Sequence, residues 1–218
     1  MKKEFEKRIL SSVIMIPIVL FFIVKGSLYF TFFLCIFFSI SAYEWFKMSK
    51  NDITKFFGII YLITILYLAY LLRKIFGVNI FIFVIIVCIL TDIGGYVFGN
   101  FFKGPKLTKI SPNKTYAGMI GSFILPILTG YIYINFQDFL KVFDVSNLQK
   151  EKLIFFLIIF FISATSQIGD LIISYFKRLA KIKNTGKILP GHGGLLDRVD
   201  GIIFAIPVSF LLFSYFNL

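Results

Sequence analysis

IFIFVIIVCILTDIGGYVFG, residues 80–99, is a run of 20 residues with one charged side chain, Asp92. About 20 apolar residues are what an α-helix needs to cross the hydrocarbon core of a bilayer. At helical spacing Asp92, Gly95, Tyr96 and Gly99 share one face, a small-residue groove holding a carboxylate. A carboxylate at that depth costs several kcal/mol unless it is paired or metal-bound, so Asp92 reads as functional. The two glycines read equally well as close helix packing.

Outward from this run the same pattern recurs. Comparable apolar stretches cover 9–24, 27–43, 56–72, 117–135, 152–173 and 201–217. The predicted fold is an all-α integral membrane protein, a polytopic bundle of about seven transmembrane helices. Composition agrees: of 218 residues, 58% are hydrophobic and 19% aromatic, with 30 Phe, and only 16% are charged. A soluble domain carries about one quarter charged residues, so a soluble, disordered or disulfide-stapled chain is excluded. The first run follows Lys2, Lys3, Lys7 and Arg8 but has no small-residue cleavage site, so it reads as a retained helix rather than a secretory signal. Cys35 and Cys88 lie inside apolar runs and read as buried small hydrophobes.

Net charge is +12. With a cytoplasmic N-terminus, seven spans put 1–8, 44–55, 100–116 and 174–200 on the cytoplasmic side, and these segments hold 17 of the 23 Lys and Arg residues. The positive-inside bias therefore predicts N-terminus in and C-terminus out. Nucleic acid is not an expected partner, because the spans leave no folded soluble module to bind it. The loop 136–151 is polar and uninformative. The division read from the sequence is 1–80, N-terminal transmembrane helices, and 81–218, a catalytic transmembrane region with cytoplasmic loops 100–116 and 174–200, within one continuous domain.

Polar residues concentrate in two stretches on one predicted membrane face. In 91–118, after Asp92, come Lys103, Gly104, Lys106, Lys109, Ser111, Lys114 and Thr115. Small residues admit a phosphate to the backbone, and hydroxyls and ammonium groups supply donors and charge. The spacing is not that of a P-loop. In 167–201, Asp170, Ser174 and Lys177 share a helix face, and Arg178 lies four residues beyond Ser174. Pro190-Gly191-His192-Gly193-Gly194 follows, and Asp197-Arg198-Val199-Asp200 opens the last span. Asp197 and Asp200, three apart, project the same way, and with Asp170 they read as ligands of a hard divalent cation that would in turn hold a di- or triphosphate. Capping is the simpler reading of an acidic pair at a helix start. His192, the one histidine, fits a phosphate contact or a role in the Gly-rich turn.

At these residues the chain resembles the phosphatidate cytidylyltransferase, or CDP-diacylglycerol synthase, family. Ser174, Lys177-Arg178, Lys183, Gly186, Pro190, His192-Gly193-Gly194, Asp197-Arg198 and Asp200 reproduce its signature in register. Thr91-Asp92, Tyr96, Gly99, Ser111-Pro112, Lys114-Thr115 and Gly169-Asp170-Leu171 match its upstream region. Two positions depart: Asn184 stands where the family has Asp, and Ala117 where it usually has Glu.

The resemblance implies transfer of the cytidylyl group of CTP to phosphatidate, giving CDP-diacylglycerol and pyrophosphate for phospholipid biosynthesis. It also implies a homodimer among membrane lipids, in a bacterial inner (plasma) membrane with the active site facing the cytoplasm. The expected cofactor is Mg2+ or Mn2+, with room for a second cation, on Asp170, Asp197 and Asp200. Lys177, Arg178 and Arg198 would hold nucleotide and lipid phosphates and act in catalysis with Asp197 and Asp200. Asp92, Ser111, Lys114, Thr115, Ser174, Lys183, His192 and Gly193 would bind substrate. The competing readings are a CTP-dependent transferase for another lipid phosphate, a catalytically idle homologue, and, from another class, a transporter using Asp92 and Asp170 as ion relays.

Overall fold

The computed structural model describes residues 2–108, 110–135, 152–188 and 193–216, with side chains in the first helix from residue 13 onward, residue 14 excepted. The described chain is helical: α1 (Lys2–Lys25), α2 (Ser27–Met48), α3 (Asp52–Phe102), α4 (Tyr116–Asn135), α5 (Lys152–Leu179), α6 (Leu196–Val199) and α7 (Ile202–Tyr215). An isolated bridge pairs Lys106 with Thr115. Four helices, α2 to α5, are long and apolar enough to cross a membrane. Large apolar side chains face outward along them, among them Leu28, Phe56, Ile63, Tyr131 and Leu153. In water so much exposed apolar surface would drive association; in lipid it meets its own kind. The protein is an all-α polytopic membrane protein.

The predicted spans 56–72 and 80–99 fall on the two helical stretches of α3, which meet at a kink. The kink lies at Gly77, whose φ 87° and ψ 173° are not helical. That left-handed φ is open to glycine without strain, so one residue does the work of a loop. Between α1 and α2 the break falls between the predicted spans 9–24 and 27–43, through Gly26 (φ 64°) and Ser27 (φ 48°). The last helix has 14 residues, which at 1.5 Å per residue extends about 21 Å, shorter than the predicted 201–217. Cys88 is buried, as expected. Cys35 is exposed and corrects the sequence reading, because its position on α2 turns it outward from an apolar helix.

The chain divides into two compact units, Met1–Tyr70 with Phe176–Asp200, and Leu71–Tyr175 with Gly201–Leu218. In the first, Trp45 anchors the end of α2: its Nε1 donates to the Thr54 carbonyl at 3.1 Å, and its ring meets Phe176 edge-on at 4.9 Å. Gly58 makes room for it, since a Cβ there would lie 1.7 Å from Trp45 Nε1. The second unit has a core of Phe155, Ile158, Ile162, Val84 and Phe213, all fully buried. Within that core the Thr91 hydroxyl donates to the Val87 carbonyl at 2.8 Å and lies 3.0 Å from Ser163 Oγ, joining α3 to α5. There α3 and α4 cross backbone on backbone. A Cβ on Gly94 would sit 2.3 Å from the Gly121 carbonyl oxygen, and one on Gly118 would sit 2.8 Å from that of Gly95. Glycine at such crossings lets helices approach where no hydrophobic drive operates between them.

Candidate active site

The second unit contains a cleft of about 330 Å³ whose lining includes Asp92, Ser111, Lys114, Thr115, Gln167 and Asp170. The close α3–α4 crossing sets one wall, carrying Asp92 and Gly95, and α5 supplies Gln167 and Asp170. The loop between α3 and α4 adds Leu107, Ser111 and Asn113 to the lining. It leaves α3 through Lys103 (φ 52°) and Gly104 (φ 100°). It is then pinned by Leu107 N to the Lys114 carbonyl at 2.8 Å and by Tyr116 N to that of Pro105 at 3.2 Å. Thr115 caps α4, its Oγ1 accepting the Gly118 N–H at 3.1 Å. The capping contact uses an acceptor lone pair and leaves the hydroxyl proton for another partner. Four predicted substrate-binding residues, Asp92, Ser111, Lys114 and Thr115, thus line one cleft with Asp170, although they are spread over 79 positions.

Electrostatics in the cleft turn on one ion pair, Lys114 with Asp170, each side chain 27% exposed. Ser174, one turn further along α5 and buried, donates its hydroxyl to Asp170 Oδ1 at 3.3 Å. Gln167 brings an amide whose Nε2 is buried without a hydrogen-bond partner. Polar groups in such a state are ready to meet a ligand's acceptors.

In the first unit the signature residues form a compact knot around Asp197. Its Oδ1 meets Lys177 Nζ at 2.9 Å, with both side chains nearly buried (12% and 6% exposed). Its Oδ2 accepts the Thr185 N–H at 2.8 Å and the Gly194 N–H at 3.0 Å, and lies 3.1 Å from Thr185 Oγ1. The Gly194 bond spans three residues, the back-reaching half of a capping box at the start of a helix. Gly193 (φ 91°) turns the chain into this arrangement; a Cβ there would lie 2.9 Å from Asp197 Oδ2 and 3.2 Å from Asn184 Cγ. Lys183, Arg178 and Arg198 are exposed, and Asp200 is half-buried. His192, Pro190, Gly191 and Lys109 lie outside the described residues.

Sequence reading overlooked one participant. Glu44, in the last turn of α2, is completely buried. Its Oε1 accepts the Leu195 N–H at 2.9 Å; its Oε2 accepts the Leu196 N–H at 2.9 Å and the Thr185 hydroxyl at 2.8 Å. These partners lie 141 to 152 residues away, so no local pattern announces them. The available signal was an acidic residue at the end of an otherwise apolar run, which seldom survives burial without partners.

Among the described residues no three of His, Cys, Asp and Glu come together as a group that could hold a metal ion. By type, carboxylate and amide oxygens suit a hard divalent cation, and Asp92, Gln167 and Asp170 present such oxygens to one cleft. Asp170 and Asp197 are each already neutralised by a lysine, so a cation on either carboxylate would take an ammonium's place.

The sequence model of the cytidylyltransferase family matches residues 6–73 and 53–216. The phosphatidate cytidylyltransferase of Rickettsia conorii is 29% identical over 218 residues, 98% of this chain and 93% of its own length. That of Rickettsia felis is 31% identical over 217 residues, 97% and 93% of the two chains. A third, from Staphylococcus saprophyticus, is 39% identical over 137 residues, 62% of this chain. The match spans about half the length of the staphylococcal relative, 49%, against 93% of the rickettsial ones. With the family model matched over residues 6–73 and 53–216 and a relative 31% identical over 97% of this chain, the chain belongs to the cytidylyltransferase family.

Proposed function

We propose that the protein transfers the cytidylyl group of CTP to phosphatidate, releasing pyrophosphate and leaving CDP-diacylglycerol in the membrane. The observation that carries this reading is the cleft in which Asp92, Ser111, Lys114, Thr115 and Asp170 converge in a chain of this family. The attacking group is the phosphate oxygen of phosphatidate, already anionic near neutrality because its second pKa is about 6. No strong base has to be built, which suits a chain with one histidine. What the protein must supply is alignment with the α-phosphate and compensation of negative charge.

Lys114, which lines the cleft, would do the second by exchanging its carboxylate partner for a phosphate. Ser111 and Thr115 add hydroxyl donors, and Gln167 offers its unpartnered amide to a phosphate or cytosine oxygen. Lys177, Arg178 and Arg198 are our candidates for the remaining phosphate charge, with Lys183, Ser174, His192 and Gly193 as further substrate contacts. Asp170 in the cleft and, separately, Asp197 and Asp200 in the first unit are our candidates for holding Mg2+ or Mn2+, and a second cation; the ion, when bound, would supply Lewis acidity and charge neutralisation. The bias of basic residues supports a cytoplasmic N-terminus and a cytoplasmic site, in the inner membrane of a bacterium. A homodimer belongs to the same reading.

Lys114→Met tests the cleft. With CTP and phosphatidate in detergent micelles, turnover is expected to fall about 100-fold, in the range seen when a charge-stabilising donor is lost. Unchanged turnover would remove the cleft from the reaction.

A further inference from the structure

Glu44 has no part in the reaction outlined above, yet it is the most completely enclosed acidic side chain among the described residues. All three of its contacts go to the stretch that carries Asp197. The Leu195 and Leu196 N–H groups are the otherwise orphaned donors at the start of α6, and Thr185 is shared. The Thr185 hydroxyl has one proton and two carboxylates in reach, Glu44 at 2.8 Å and Asp197 at 3.1 Å, while its backbone N–H goes to Asp197 at 2.8 Å. Two glycines of the signature are explained by the same carboxylate. A Cβ on Gly186 would meet Glu44 Oε1 at 2.5 Å, and its three nearest atoms all belong to Glu44. A Cβ on Gly194 would meet Thr185 Oγ1 at 2.1 Å and both Glu44 oxygens within 2.6 Å. The bend around Thr185 and the turn into α6 therefore pack against the Glu44 carboxylate near the end of α2.

We infer that Glu44 is a positioning residue: its buried carboxylate fixes the 194–196 turn and Thr185, and through them sets where Asp197 and its partner Lys177 point. A charged acceptor is needed because three donors converge on it; an amide of the same shape would turn an NH2 toward an N–H. The inference rests on the proposed transfer for its kinetic readout but not for its structural one.

The test compares wild type, Glu44→Gln and Thr185→Ala in detergent, by steady-state transfer and by amide hydrogen exchange. In Glu44→Gln, kcat is expected to fall about 10- to 100-fold, the usual consequence of misplacing reacting groups by about 1 Å, with the KM for CTP moving much less. Exchange should accelerate in peptides covering 193–199 while those covering α4 and α7 keep wild-type rates. Thr185→Ala should show the same split more weakly, and the double variant should be no worse than Glu44→Gln. Wild-type kcat and wild-type exchange in Glu44→Gln would overturn the inference. So would a uniform acceleration across α4 and α7, or a Glu44→Gln that does not fold beside a fully active Thr185→Ala; either would make Glu44 a support of the fold alone. If wild type itself transfers nothing, the proposed reaction fails, while local exchange at 193–199 still decides the role of Glu44.

Discussion

Asp197 sits in a nearly closed environment with an ammonium on one oxygen and three donors around the other. A buried ion is stable only in such company, and removing one partner strands the other. Lys177→Met is therefore expected to lower folding stability by about 3 kcal/mol, read as a drop in the denaturation midpoint in detergent. The Asp52–Lys55 pair offers a control: Asp52 is 95% exposed, and Asp52→Asn should leave the midpoint where it was. Equal losses in the two variants would contradict the packing assigned to Asp197. At this scale the sequence told part of the story. Asp170, Lys114, Thr115 and Asp197 are recognisable from residue type and spacing. What spacing cannot reveal is the partner: Lys114 meets Asp170 across 56 positions, and Glu44 meets Leu196 across 152. Contacts of that span are made by the fold, and no local periodicity encodes them.

Among the elements, α3 and α4 depend on small residues. A methyl on Gly94 would collide with a carbonyl oxygen of the neighbouring helix at 2.3 Å, whereas one on Gly99 meets nothing closer than Thr115 Oγ1 at 3.3 Å. Gly94→Ala should cost about 1–3 kcal/mol, the scale of overpacking, and Gly99→Ala clearly less. Thermal unfolding followed by circular dichroism in micelles separates them, and a larger loss for Gly99→Ala would refute the crossing. Hydropathy located the four described helices that are long and apolar enough to cross a membrane, because apolar run length is a local property. It also left a break between residues 72 and 80, and the fold makes that break at Gly77 alone. Hydropathy wrongly placed Cys35 inside, since an apolar run does not state which side of a helix faces lipid.

For the whole molecule, orientation follows from charge rather than packing. In a variant lacking Cys35 and Cys88, single cysteines at Lys50 and Lys187 should react with an impermeant maleimide only after inner-membrane vesicles are inverted, and one at Asn135 only in intact spheroplasts. The reverse pattern would place the proposed site on the wrong side for CTP. Glycines hold α3 against α4, and that contact carries Asp92 to the cleft that Lys114 and Asp170 share. The most direct measurement is transfer of label from α-labelled CTP into lipid by the purified protein with phosphatidate and Mg2+. The account predicts lipid-borne label that is lost with EDTA and in Asp170→Ala, with one pyrophosphate released per lipid labelled. Folded protein that binds CTP but leaves phosphatidate unlabelled would contradict it.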